Sequence, residues 1–166
     1  GKGIRLQNCV HHLGPRQPGR PIRIHTQTDI LSRCRFCRLP GGRHLSYFDP
    51  AIEEREMPWG EVKPQIAYTG VNSYTRKWRR QYTHGAKLTE NIDQAVSRDL
   101  MALSMLRVER AGYRVVLTVH DEIVAEVPEG FGSLKEFETL MARVPPWAED
   151  LPVAASGWRG KRYRKE

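Results

Sequence analysis

Val115-Val116-Leu117-Thr118-Val119, then His120-Asp121-Glu122, then Ile123-Val124-Ala125-Glu126-Val127: this stretch decides how the chain reads. Its first five residues are β-branched or apolar and suit a strand buried on both faces. Three ionisable residues interrupt the pattern, and strand character resumes before Pro128 and Gly130. Burying those charges between two apolar strands is costly unless they are paired or bind a cation. A tight β-turn meets the constraint by holding the carboxylates at the sheet edge while the flanking strands fix the backbone. Carboxylate oxygens on a rigid turn suit Mg²⁺, which usually takes one or two protein carboxylates and completes its shell with water and phosphate. A plain polar hairpin turn with a hydrogen-bonded histidine fits the same tripeptide.

Working outward, the clearest helix covers about residues 87–110. Leu88, Ile92, Ala95, Val96, Leu103 and Leu106 recur mostly at three- and four-residue steps, and Gly112 is a stop signal. Downstream, Ser133 is placed to cap a short helix, with Glu136 at the capping-box position. Upstream, residues 33–39, the turn Pro40-Gly41-Gly42 and residues 43–48 read as a β-hairpin. A further strand is expected over residues 62–68, confined to a sheet edge by Pro64. Residues 71–82 fit no single pattern. The order of elements indicates an α+β fold with an antiparallel sheet and a long packed helix. Residues 1–26 mix Gly14, Pro15, Pro18, Gly19 and Pro21 with Arg16, Arg20 and Arg23. They are expected to form an irregular basic arm ahead of a folded portion over residues 27–166.

Among the 166 residues, 27 Lys and Arg stand against 19 Asp and Glu, a formal charge of +8. That balance points to a polyanionic partner, of which nucleic acid is the commonest. No apolar run approaches the roughly 20 residues of a membrane span, so no membrane partner is expected. The opening Gly1-Lys2-Gly3-Ile4-Arg5 lacks the apolar core of a signal peptide, and Gly1 in place of an initiator Met suggests a fragment. Three cysteines are too few for a disulfide framework, which favours a cytoplasmic setting. Cys34 and Cys37 have a zinc-like spacing but fall on opposite faces of a strand. Their best partners for a metal (Cys9, His11, His12, His25) lie in the irregular arm, and His44 is a further one.

The flanks of the turn carry a more specific signal. Val119-His120-Asp121-Glu122-Ile123-Val124, preceded by a helix bearing Gln94 and Asp99, resembles the C-terminal palm portion of family A (DNA polymerase I type) DNA polymerases. The likeness is closest to phage and prophage members. It runs through Leu39-Pro40-Gly41-Gly42-Arg43, Trp59-Gly60-Glu61, Gly70-Val71-Asn72-Ser73 and Thr75-Arg76-Lys77-Trp78. It continues through Lys87-Leu88, Glu90-Asn91-Ile92, Arg98-Asp99-Leu100, Pro128-Glu129-Gly130-Phe131-Gly132 and Gly157-Trp158-Arg159-Gly160-Lys161-Arg162-Tyr163. In this resemblance Asp121 is the motif C aspartate, a ligand of the Mg²⁺ pair, and Glu122 is the neighbouring carboxylate that assists the metal site. His120 lies near the primer terminus and Gln94 reads the minor-groove side of the primer–template end. The family commonly carries Asn four residues before that Gln, where this chain has Glu90; whether Asn91 takes the place stays open.

The implied chemistry is attack of a primer 3′-hydroxyl on the α-phosphorus of a deoxynucleoside triphosphate, with two Mg²⁺ ions about 3.5–4 Å apart. The second aspartate (motif A) and the triphosphate-gripping helix (motif B) have no match here, so the chain resembles the portion that follows motif B. The implied partners are primer–template DNA and, in the complete enzyme, deoxynucleoside triphosphates. Arg76, Lys77, Arg79, Arg80 and Lys87 are the expected DNA-contacting cations, interleaved with Tyr74, Trp78 and Tyr82. A second basic cluster covers residues 159–165. Two other readings belong to different classes: a non-catalytic basic DNA-binding remnant of a prophage polymerase, and a small zinc-stabilised nucleic-acid module.

Overall fold

The computed structural model describes residues 2–7, 26–29 and 33–163. In chain order the elements are β1 (Lys2–Gln7), β2 (Thr26–Asp29), β3 (Cys34–Arg38), β4 (His44–Glu56), β5 (Val62–Val71) and β6 (Trp78–Thr83). There follow α1 (Gly85–Arg110), β7 (Arg114–Val119), β8 (Glu122–Val127), α2 (Leu134–Ala142), a 3-10 turn (Pro146–Ala148) and β9 (Ser156–Arg159). The fold is α+β. The strands form two separate antiparallel sheets rather than one, in the orders β7-β8-β1-β9 and β2-β3-β4-β5-β6. They belong to two compact units, the second confined to Ile22–Val96, with α1 continuous from one into the other.

The unit that carries His120–Asp121–Glu122 is built around β8, whose pattern is buried at every residue but Glu126. Ile123, Ala125 and Val127 join Met101 and Val108 of α1, Tyr113, and Phe137 and Met141 of α2 in one apolar cluster. Each large side chain sealed there contributes roughly 1.5–3 kcal/mol. The buried residues of α1 in this half are Leu100, Met101, Ser104 and Val108; Leu103 is half-buried and Leu106 exposed, so the apolar stripe turns away from the expected Leu103–Leu106 line. The C-terminal carbonyls of α2 are capped from α1. Ser104 Oγ donates to Met141 O at 3.0 Å, and Arg107 donates to Leu140 O at 2.8 Å and to Arg143 O. Burial, with Arg143 nearby, holds the Arg107 guanidinium below its ordinary pKa.

Two expectations change in this unit. Residues 115–119 do not form a doubly buried strand: β7 lies at the sheet edge, with Val116 and Leu117 exposed. Val115 and Val119 are half-buried and the residues between them are exposed, so neither face of the apolar run is sealed. Residues 1–26 are not irregular throughout either. Lys2–Gln7 forms β1 between β8 and β9, pairing Leu6 with Ile123 and Gln7 with Glu122. The pattern is short, with Ile4 and Leu6 as the alternating apolar residues, and its partners are more than a hundred positions away. The rest of the expected arm, including Cys9, His11, His12 and His25, lies outside the described residues apart from Thr26, the first residue of β2.

The second unit is a meander. The expected hairpin is β3–β4, and Leu39 at its tip is buried. Gly42 takes φ +92°, and Arg43 donates to Ala95 O of α1 at 3.0 Å. Val62–Val71 is an inner strand rather than an edge, yet Pro64 is tolerated because β6 pairs only from Ile66 onward. Pro64 faces Glu54 of β4 in an overhang with no ladder on its other side, so its missing N–H leaves no β6 partner unsatisfied. The ambiguous stretch resolves into the end of β5, a loop and β6. Cys37 is buried, and burial pushes its thiol pKa up; no group of three or more His, Cys, Asp or Glu side chains placed to hold a metal ion occurs among the described residues.

The start of α2 is as expected: Ser133 Oγ accepts from Glu136 N at 3.0 Å. The Glu136 side chain is occupied otherwise, accepting from the Tyr113 hydroxyl at 2.5 Å, while that hydroxyl accepts from Ser133 N at 3.1 Å. Gly132, at φ +55°, makes this possible, since a Cβ there would lie 2.6 Å from Tyr113 Cζ. Gly132→Ala is therefore expected to destabilise by roughly 2–4 kcal/mol and Ser133→Ala by about 1 kcal/mol. Denaturant midpoints check the order; equal losses would contradict the close approach of Gly132 to Tyr113.

Candidate functional site

His120 and Asp121 are the two central residues of the β7–β8 hairpin, whose closing pair is Val119 and Glu122. Of the two, only His120 has a positive φ, 52°. That is the pattern of a type II′ turn, where glycine is the usual first central residue. A residue with a Cβ in this region is strained by about 1–2 kcal/mol, although His tolerates it better than most. A register slip between Val115 and Leu117 leaves Val116 as an extra residue, a bulge shortly before the site. Bulges increase local twist and re-aim side chains.

The two carboxylates have opposite surroundings. Asp121 is exposed at the tip, whereas Glu122, the next residue, is the first of β8 and only 7% exposed. Tyr163 donates its hydroxyl to Glu122 Oε2 at 3.4 Å. A buried carboxylate needs such donors, because desolvation penalises its charge by several kcal/mol. Tyr163 belongs to the aromatic–basic end of the chain, and nothing in the spacing of 41 residues marks it as the partner of Glu122. The neighbouring cation Arg159 is engaged elsewhere, donating to Phe131 O at 2.8 Å and Gly132 O at 3.2 Å. The turn thus presents His120 and Asp121 next to Glu122, which Tyr163 contacts, and two carboxylates supply only part of an oxygen shell for a pair of divalent cations.

The remaining candidates lie in the other unit. Lys87, Asn91 and Gln94 follow one another along α1 at steps of four and three residues. Gln94 is exposed. Asn91 is half-buried and hydrogen-bonded to Tyr47; burial is the main cause that raises the Tyr47 pKa, and this bond opposes it. Lys87 is ion-paired with Glu90 at 2.9 Å. Arg80 is held by Glu53, with Nε to Oε1 at 2.8 Å, and donates to Asp49 O. The same contact holds the Glu53 carboxyl below its ordinary pKa. Arg76, Lys77 and Arg79 are exposed in and beside the β5–β6 loop. The basic run therefore divides into one structural cation and three displayed ones.

The strain at His120 yields a direct check. His120→Gly relieves the left-handed backbone while adding unfolded-state freedom of about 0.4–1 kcal/mol. The variant is expected to be no less stable than the parent by thermal unfolding. A loss well above 1 kcal/mol would show that the imidazole itself holds the turn.

No family model matches the chain, and no solved structure matches it significantly. A protein of Bacillus phage SP02 named "DNA polymerase" is 40% identical over 149 residues. Those residues are 89% of this chain but 22% of the phage protein, so the chain spans about a fifth of the length of the relative it matches. Over most of its length, the chain is related to a segment of a phage DNA polymerase.

Proposed function

We propose that this chain is the segment of a family A, phage-type DNA polymerase that contains the palm hairpin of motif C and works in template-directed deoxynucleotidyl transfer. One observation carries the reading. In a chain 40% identical to a segment of a phage DNA polymerase, an exposed aspartate stands at the tip of a strained turn with a buried glutamate directly behind it. Strained, solvent-facing positions on rigid hairpins are where functional groups concentrate. The exposed basic residues of the second unit supply the polyanion contact that the +8 charge calls for.

Asp121 and Glu122 would hold Mg²⁺ together with an aspartate from outside this chain. When bound, the metal pair stabilises charge on the attacking and leaving oxygens of the phosphoryl transfer. The chain's own contribution is positional. β7 and β8 fix the backbone on both sides of Asp121, so its carboxylate needs little reorganisation to take a ligand. Tyr163 restrains Glu122 through its hydroxyl. His120, on the same turn, would lie near the primer terminus, and Gln94, exposed on α1, would read the minor-groove edge. A cytoplasmic setting accords with a DNA substrate; Cys34 and Cys37 are free thiols, and no helix among the described residues is long and apolar enough to cross a membrane.

In a complete polymerase carrying this region, Asp121→Ala is expected to abolish nucleotide incorporation while duplex binding stays within about twofold of the parent. Primer extension and a gel-shift titration on the same preparation check both halves. Retained incorporation would overturn the metal-ligand role of Asp121. A parent protein that binds DNA and never extends a primer would favour the non-catalytic remnant instead. The 166-residue chain should itself bind DNA with an affinity that falls steeply as salt rises, because each phosphate contact adds about 0.9 to the log–log slope on duplex. Salt-independent binding would contradict the basic contact.

A further inference from the structure

We propose that the loop joining β5 and β6 is a contact for single-stranded DNA, in which Tyr74 and Trp78 stack on unpaired bases while Arg76, Lys77 and Arg79 engage the backbone phosphates. This rests on the reading that the chain works on DNA, and it deepens that reading by naming the strand state and the residues.

The loop is built rather than slack. Asn72 Oδ1 accepts from Tyr74 N at 3.1 Å, Thr75 N at 2.9 Å and Thr75 Oγ1 at 3.1 Å. Asn72 N donates to Lys77 O at 2.9 Å, Arg76 N donates to Asn72 O at 2.9 Å, and Asn72 Nδ2 reaches Gln81 Oε1 at 3.4 Å. One asparagine thus ties both ends of the turn to its middle, as Asn side chains do when they mimic a backbone turn. Arg76 is held at φ 56°, a strained conformation for a residue with a Cβ. The ordering entropy of the loop is already spent before any ligand arrives, which favours binding.

What the loop displays is selective. Tyr74 is 93% exposed and Trp78 61% exposed. Trp78 is anchored on one side by Phe48, with ring centroids 5.9 Å apart, which leaves the rest of the indole open. Residues 72–79 contain three cations and no acid. Arg76, Lys77 and Arg79 have no acidic partner among the described residues. Their neighbours are excluded by their own contacts: Arg80 is committed to Glu53, and the Tyr82 ring is covered by Arg55 at 4.6 Å. Flat open rings beside unpaired cations are the recognition chemistry of unpaired nucleotides, since every base has a π-face and every link a phosphate. A duplex keeps its base faces stacked inside and could use only the cations, which is why the single strand is the favoured occupant.

The test uses the full chain, a fluorescein-labelled oligothymidylate and a blunt duplex of equal length. Tyr74 is almost wholly exposed, so Tyr74→Ala leaves folding intact. It is expected to weaken oligothymidylate binding by roughly five- to a hundredfold and duplex binding by no more than about twofold. The double variant Lys77→Gln, Arg79→Gln should lower the salt slope on the single strand by about 1.4, at roughly 0.7 per phosphate. Oligothymidylate should quench tryptophan emission in the parent and quench it less in Trp78→Phe. Unchanged single-strand affinity in Tyr74→Ala, or equal losses on single strand and duplex, would overturn the proposal, as would a parent chain that does not bind oligothymidylate. Lost incorporation in Asp121→Ala with unchanged oligothymidylate binding in Tyr74→Ala overturns the loop contact alone. Retained incorporation with a Tyr74-sensitive single-strand affinity supports the loop while the metal-site reading falls.

Discussion

A hairpin that places two consecutive carboxylates at its end must send them to different environments. The closing pair of the β7–β8 turn is Val119 and Glu122, so Glu122 already belongs to the sheet while Asp121 remains in the turn. Strand geometry then decides the rest. Glu122 is carried in beside Ile123 and Val124 and is 7% exposed; Asp121 stays in water. One carboxylate is available to a ligand without a desolvation cost, and the other is positioned by burial and by the Tyr163 hydroxyl. The difference in exposure between the two acids follows from a two-residue turn rather than from any difference in their chemistry.

That arrangement depends on a rigid strand behind it. β8 is paired on both sides, by β7 and β1, and its Ile123, Ala125 and Val127 are sealed by α1 and α2. The helices are tied to each other through Ser104 and Arg107, which satisfy carbonyls that the end of α2 would otherwise leave bare. Tyr113 links the start of β7 to the first turn of α2 through Glu136 and packs edge-on against Phe131 and Phe137. The positive φ of Gly132 and the cap at Ser133 serve the same junction. A turn carrying strain at His120 persists because this frame over-determines its ends.

Local signals were legible in the sequence where neighbours along the chain are also neighbours in space. The helix 87–110, the capped start of α2, the hairpin at Gly42 and the acidic turn all follow from short-range patterning. What depended on distant pairing was not. The place of β7 at a sheet edge depends on which strands lie beside it, so Val116 and Leu117 read as core although they are exposed. β1 has too few apolar residues to announce itself and exists through its pairing with β8 and β9. Pro64 correctly marks a missing ladder, but only over the overhang of β5 and not along the whole strand. For the site, the three residues of the turn were visible together; Tyr163 was not, because a side-chain contact across 41 residues leaves no periodic trace. Likewise the basic run at residues 76–80 reads as uniform in sequence, and only the ion pair of Arg80 with Glu53 separates structural charge from displayed charge.

Asp121 is the proposed metal-binding oxygen donor of the chain. Mn²⁺ shares the carboxylate preference of Mg²⁺ and is paramagnetic, so it broadens the nuclear resonances of residues it approaches. Titrating it into the ¹⁵N-labelled chain reports the site without requiring turnover. The amide signals of residues 119–123 are expected to broaden first, at metal concentrations where the acidic stretch of β4 around Glu53 and Glu54 is unaffected. Broadening that begins at β4, or that spreads evenly over all exposed carboxylates, would contradict the role of Asp121.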